Sequence, residues 1–283
     1  MKIILKIAGI LLGTIALVAL IGVFISDMKI SSIRKDMLAD APLLSYDIEK
    51  VSIDALPEPV QRYMKYAFTG KKKFKMKGIE WKEKGVFNLP EIGRFTISAW
   101  QVSRPDIPIY MWRGKMMKGG GLLTLESMDS FNVDKHDMRA KLYGLMTIMK
   151  SDYTENDDIT SLHNYLTLRY YGTSLCFPWG LITSKYITWT GIDNDSAEMR
   201  FNIGGNTSSY IVTFSAEGKI IKMEGTEFQL HGNDELLRET SIKSEYEEWN
   251  GVMVPTNIHY VWVDKAGNKT EYNSKIYDIK ILR

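Results

Sequence analysis

The sequence predicts an α+β protein in which an N-terminal transmembrane helix precedes a curved antiparallel sheet, a half-barrel wrapped around two or more helices. Three observations lead there. Residues 7–25 are an unbroken apolar run, two later stretches have amphipathic helical spacing, and from Tyr186 onward short segments alternate with turn signals every ~12 to 18 residues.

In the run IAGILLGTIALVALIGVFI only Thr14 is hydrophilic and none of the nineteen side chains is charged. At ~1.5 Å per residue it covers about 28 Å, close to the ~30 Å hydrocarbon core of a bilayer. A secretory signal has a similar outline, with Lys2 and Lys6 ahead of an apolar core. Small residues at the cleavage positions are missing, however, where Val23, Phe24 and Ile25 precede Ser26, so residues 1–25 read as an uncleaved anchor. Lys2 and Lys6 on one side face Lys29, Arg34 and Lys35 on the other, and the positive-inside rule is tied. Ile30, Ile33 and Met37 continue the helix as a juxtamembrane stalk, residues 26–41, until Asp40-Ala41-Pro42 stops it. Residues 42–283 then form one domain.

Composition narrows the partners. With 36 Lys and Arg against 34 Asp and Glu the net charge is +2, too small to imply a nucleic acid. Cys176 is the lone cysteine, so no internal disulfide forms and burial must hold the core. The seven tryptophans all lie beyond residue 80, which supplies aromatic side chains for a core or a cavity wall.

Chemistry-bearing motifs are weak. Gly119-Gly120-Gly121 lacks a surrounding phosphate-loop or dinucleotide pattern and reads as a turn. His136, His163, His231 and His259 have no metal-ligand spacing, so neither a metal nor a cofactor is predicted. Asp157 and Asp158 near His163 permit an acid-base speculation, but capping and surface roles fit them better. Gly172-Thr173-Ser174-Leu175-Cys176 nearly matches a nucleophile elbow, but Cys176 replaces the glycine that the tight turn needs.

The first helix of the domain is predicted over residues 56–66, capped by Asp54 and ended by Thr69-Gly70, with Val60, Tyr63, Met64 and Ala67 as its buried stripe. Seven lysines then crowd into residues 71–84 at mostly alternating positions with Phe74, Met76, Ile79 and Trp81. This reads as a hairpin whose outer face is solvated lysine, which also protects an edge strand. The functional alternative is contact with anionic lipid headgroups through Lys72, Lys75 and Lys77.

Strands follow at 94–102 and 109–112, split by the proline-containing turn Arg104-Pro105-Asp106-Ile107-Pro108, with Trp100 and Trp112 expected to face each other. Residues 122–126 and 140–148 read as further strands. A second helix is predicted over 157–171, acidic at its start, with Leu162, Tyr165, Leu166 and Arg169 on one face. Residues 177–182 are the most apolar stretch after the anchor and either plug the core or line a pocket. The candidate apolar pocket is Trp100, Trp112, Phe177, Trp179, Leu181 and Trp189. The late turns are Asp193-Asn194-Asp195, Gly204-Gly205-Asn206, Glu217-Gly218, Gly232-Asn233-Asp234, Asn250-Gly251 and Gly267-Asn268, and they give an antiparallel meander.

Leu56-Pro57-Glu58-Pro59-Val60-Gln61-Arg62-Tyr63, Ala99-Trp100-Gln101, Phe177-Pro178-Trp179 and Asn250-Gly251-Val252-Met253-Val254-Pro255 together resemble a bacterial domain-of-unknown-function family of membrane-anchored proteins. The resemblance covers most of residues 55–281, and its motifs are structural, so it implies a fold family and no reaction. In that family a basic residue precedes Tyr-Leu in the second helix and an acid follows, whereas Asn164 and Leu168 stand here. The late meander, ending in a Gly-x-x-x-Pro strand, is also similar in topology to the half-barrel of lipoprotein carriers and related lipid-binding envelope proteins.

These resemblances imply a single-pass protein of the cell membrane whose domain is extracytoplasmic, periplasmic or extracellular. Three functions follow. The first is binding or carrying a lipid or other apolar ligand, since sheets curved around helices provide apolar cavities. The second is a structural or partner-binding envelope module, because fold does not fix function. The third is a hydrolase-like enzyme, resting on Asp157, Asp158, His163, Ser174 and Cys176 alone.

Overall fold

The computed structural model describes residues 2–70, 73–132, 135–151, 166, 168–170, 172–173, 178, 180–225, 228–229 and 236–283. Its first element, α1 (Lys2–Ala39), is one continuous helix of 38 residues. It is long and apolar enough to cross a membrane, a property that a signal sequence shares. Every described side chain from Lys2 to Ile21 is exposed, and burial begins at Gly22.

The domain opens with β1 (Leu44–Asp47) and α2 (Glu58–Ala67), followed by β2 (Lys73–Met76), which pairs with β1 in a small two-stranded sheet. The main sheet is a double meander. One arm is β3 (Gly78–Leu89), β4 (Gly93–Arg104), β5 (Ile109–Lys118), β6 (Leu123–Asn132), β7 (Lys135–Leu142) and β8 (Met146–Ser151). The other is β9 (Ile187–Gly191), β10 (Ser196–Ile203), β11 (Asn206–Phe214), β12 (Ile220–Gly225), β13 (Phe228–Gln229), β14 (Leu236–Trp249), β15 (Val252–Val263) and β16 (Lys269–Leu282). Among the described residues all pairings are antiparallel, and the order is 8-7-6-5-4-3-16-15-14-12-11-10-9, with β13 added beside β14. The two arms are therefore joined by a seam in which the first strand, β3, pairs with the last, β16.

The sheet is strongly curved. Asp129 on β6 forms an ion pair of 3.3 Å with Arg169, while Tyr210 on β11 donates a 3.1 Å hydrogen bond to the carbonyl of the adjacent Leu168. β6 and β11 are eight steps apart in the strand order, roughly 38 Å in a flat sheet at ~4.8 Å per step. Both reach neighbouring residues only because the sheet curls around them. Backbone at 166, 168–170 and 172–173 is helical and lies on this concave side, where Leu166, Leu168 and Tyr170 are buried in the core.

One end of the half-barrel is plugged. α2 buries Pro59, Val60, Tyr63, Met64 and Ala67, the Tyr63 ring lies 6.2 Å from that of Phe214 at the end of β11, and the Gly70 amide donates to the Gly251 carbonyl. The buried stripe is the expected one, but the cap is not. Pro57 is the N-cap, and the Gln61 side chain instead donates to the carbonyls of Asp54 and Leu56. The opposite, open end carries the turns after β3, β5, β7 and β15.

The stalk is packed rather than free. Ile30 sits among Val102, Met111 and Met128 on the outer face of β4, β5 and β6, flanked by Ile33, Met37, Leu38 and Trp100. Ion pairs reinforce it: Arg34 with Glu80 at 2.6 Å, Arg104 with Asp40 at 2.7 Å, and Arg113 with both Asp27 and Glu126. Gly22 touches Leu145 at the open end and Leu38 touches Gly78 at the plugged end, so the unpacked half of α1 projects beyond the open end.

Three local expectations change. The lysine-rich stretch is not a hairpin, because β2 pairs with β1 while β3 pairs with β4 and β16. Residues 140–148 contain two strands, since Tyr143 and Gly144 take positive φ (52° and 71°) and turn the chain. Trp100 and Trp112 do not face each other: Gln101 is opposite Trp112, and this one-residue offset puts the indoles on opposite faces.

Candidate functional site

Between the helical segment and the open end, the concave face leaves a cavity of about 440 Å³. Its walls come from both arms. Trp112, Met116, Leu125, Met138 and Ala140 line it on β5, β6 and β7, while Phe87 on β3, Leu237 on β14 and Trp262 on β15 face them. Leu89, Pro90, Ile92, Ile148 and Met149 form its outer rim, together with Asp264 and Asn268.

The two wall indoles are each pinned from behind by a buried carboxylate. Glu83 accepts hydrogen bonds from Trp112 Nε1 at 3.4 Å, Trp81 Nε1 at 3.0 Å, the Tyr272 hydroxyl at 2.8 Å and the Ser274 hydroxyl at 3.1 Å. Glu239 accepts from Trp262 Nε1 at 2.9 Å and the Tyr210 hydroxyl at 2.6 Å. A buried indole N–H needs such a partner, so the apolar ring faces can be given to the cavity without an unsatisfied donor. Burial, then the neighbouring carboxylate, pushes the Tyr210 and Tyr272 hydroxyls well above the ordinary phenol range, which keeps both as donors.

Backbone geometry also sets the wall. Trp112 lies back across Gly114, where a Cβ would come within 2.2 Å of the indole, so a larger residue there would drive the ring inward. Phe87 packs against both Trp262 and Tyr272 at ring separations of 6.1 and 5.8 Å, and Tyr260 stacks on Trp262 at 5.7 Å.

The floor is the polar part. Arg169 pairs with Asp129 and stacks its guanidinium 5.0 Å over Trp112. Burial pushes the Asp129 carboxyl up from the usual carboxylate range, against the pull of Arg169 and with a further push from Asp137. Deeper still, Lys243 donates to the Gly172 carbonyl at 3.0 Å, and Gln101 donates to Ser103 and Thr173. The arrangement suits an apolar ligand. Among the described residues no group of three His, Cys, Asp or Glu side chains is gathered to hold a metal ion.

Of the residues expected to line a pocket, Trp112 does so. Trp100 is on the outer face against α1. Leu181 and Trp189 meet each other, with Trp189 Nε1 donating 3.0 Å to the Leu181 carbonyl, but at edge strand β9 and away from the cavity. Phe177 and Trp179 lie outside the described residues, as do Lys72, Asp157, Asp158, His163, Ser174 and Cys176. Lys75 is exposed and Lys77 half-buried beside the start of β3, at the plugged end. Sequence reasoning missed Phe87, Met138 and Trp262. For Trp262 a signal existed, because Val252, Val254, Ile258, Tyr260 and Trp262 share one face of β15 by simple alternation.

Residues 54–281 match a family described as "Family of unknown function (DUF6920)". No curated protein matches the chain in sequence. Among solved structures, a LolA superfamily protein from Nitrosomonas europaea aligns over 80% of this chain and 92% of its own, at 13% identity and a TM-score of 0.35. A domain described as an outer membrane lipoprotein-sorting protein, from Vibrio parahaemolyticus, aligns over 72% of this chain and 84% of its own, at 10% identity and a TM-score of 0.36.

Proposed function

We infer that this chain, which belongs to a family of unknown function (DUF6920), binds or carries a lipid or other apolar ligand beside a membrane. The observation that carries this reading is the 440 Å³ hollow walled by Phe87, Trp112, Met116, Met138 and Trp262. Its volume lies within the ~300–1,000 Å³ of ligand sites, and apolar walls with few polar groups are what such sites present. A structural module would gain stability by filling this space, since each unfilled methyl-sized volume costs about 1 kcal/mol.

Anchoring is part of the proposal. α1 stays attached and holds residues 42–283 outside the cytoplasm. The missing cleavage signature supports the first point, as does the seating of Gly22 through Leu38 on the sheet. Reporter fusions after Ile53 and after Arg283 test the side: cytoplasmic activity at both positions would reverse the orientation. A mature N-terminus near Ser26 would remove the anchor.

The ligand is tested with the full chain purified in detergent, extracted with organic solvent and examined by mass spectrometry beside Ala140→Phe. Ala140 is buried on the cavity wall, so a phenyl group there occupies the hollow at a cost of about 1–3 kcal/mol in stability. Wild type should yield an apolar ligand that the variant has lost. Failure to find or reload any such ligand in wild type would reject the carrier reading and leave the structural module in front.

A further inference from the structure

We propose that the open end of the β3–β8 arm is a membrane-penetrating surface, inserted into the same bilayer that α1 spans, through which the cavity exchanges lipid directly with that bilayer. The proposal rests on the anchored, lipid-binding reading above but is carried by separate observations.

The first is a concentration of exposed large apolar side chains on three consecutive turns and the edge strand next to them. Ile92 in the turn after β3 is 50% exposed, Leu122 before β6 is 83%, and Met146 and Ile148 on β8 are 58% and 51%. Water-facing surfaces rarely carry so many large apolar groups together, and membrane-contact surfaces do. The turns are tied into one rim. Lys118 Nζ donates 2.5 Å to the Ile92 carbonyl, the Tyr143 hydroxyl donates to the Leu122 carbonyl, and the Tyr143 amide donates 2.9 Å to the Thr124 carbonyl.

The second is where α1 leaves the body. Gly22 packs against Leu145 in the same rim, and it lies inside the apolar run 7–25, about 5 Å from that run's end. If that run spans the bilayer, Leu145 stands about 5 Å below the hydrocarbon surface and its neighbours in the rim reach the acyl region. Lys29, about 10 Å further along α1, then falls at headgroup level. There it lines a cleft of about 220 Å³ with Lys141, and among the described residues neither lysine is paired with a carboxylate.

The third is continuity with the cavity. Ile92 and Ile148 belong both to the exposed rim and to the cavity lining, so a lipid passing between them never meets water. The other arm differs at this end: its turn between β15 and β16 is Asp264, Lys265, Ala266, Gly267 and Asn268, a polar sequence suited to the headgroups or the water beyond.

The test uses the full chain, with Cys176→Ser to remove its own thiol, in phosphatidylcholine–phosphatidylglycerol nanodiscs. Leu122→Cys, Met146→Cys and, as a plugged-end control, Lys75→Cys are each labelled with an environment-sensitive nitrobenzoxadiazole. The first two labels should be quenched by doxyl-labelled lipid and shielded from aqueous iodide, and the Lys75 label the reverse. Equal iodide access at all three sites would overturn the proposal. So would shielding without lipid quenching, which is the signature of a protein partner. Exchange is read separately: Leu122→Asp with Met146→Asp should slow uptake of a fluorescent phospholipid from nanodiscs about tenfold while leaving uptake from detergent micelles unchanged. Unchanged uptake from nanodiscs would overturn the exchange route. A cavity that takes no lipid from either source would fail the binding reading, whereas the depth measurement would still stand.

Discussion

The Tyr272 hydroxyl on β16 donates a 2.8 Å hydrogen bond to the buried Glu83 carboxylate on β3, across the seam that joins the two arms of the sheet. Ser274, Trp81 and Trp112 donate to the same carboxylate, so it is satisfied from both strands and from the cavity wall.

Glu83→Ala therefore leaves four buried donors without their acceptor and should cost at least about 3 kcal/mol, against about 1 kcal/mol for Tyr272→Phe. Gly85→Ala attacks the same seam by shape, since a Cβ there would lie 1.9 Å from the Asn273 carbonyl oxygen. Urea unfolding followed by tryptophan fluorescence checks all three. A Glu83→Ala loss no larger than that of Tyr272→Phe would mean that the seam is not organised by this carboxylate.

Asp129 should make stability depend on pH. Its carboxyl is pushed up in the folded state, so the folded chain holds this proton more tightly than the unfolded chain does. The resulting stabilisation is present at low pH and is lost as pH rises from the ordinary unfolded value of about 3.9 through the raised folded one. Asp129→Asn, which stays neutral, should flatten the stability profile over that window. An unchanged slope would assign the dependence to other groups.

Docking of α1 should hinge on Ile30, the buried centre of its contact with Val102, Met111 and Met128. Ile30→Ala should weaken docking by about 2–3 kcal/mol, read as faster amide hydrogen exchange in residues 26–39 with little change in β14 and β15.

Lys75→Gln with Lys77→Gln should change stability by about 1 kcal/mol or less and leave membrane association untouched. β3 runs about 40 Å from these lysines to the open end, several Debye lengths in physiological salt. Reduced retention on anionic vesicles at low salt would show that they do meet lipid.

Much of this architecture was legible in the sequence because it is written locally. The long apolar helix at the N-terminus is a matter of composition, the stripe of α2 follows from helical spacing, and Asn250-Gly251, with φ of 54° and 79°, turns the chain as such a pair must. The candidate site was less legible. Trp100 and Trp112 looked equivalent until pairing with β5 fixed the register and sent them to opposite faces. Tyr143 gave no turn signal, since tyrosine rarely accepts positive φ and here does so beside Gly144. Trp262 and Phe87 are 175 residues apart in the chain and meet only across the seam, which no local pattern announces.

The seam also orders events in time. β3 is made long before β16, so β3 to β8 can zip into successive hairpins while the partner of β3 is still unmade. Contacts separated by this much chain form slowly, and a waiting strand edge invites wrong partners. The hollow is completed only then: until β16 docks, neither arm is held against the other, and the wall that Trp112 and Trp262 share does not yet exist.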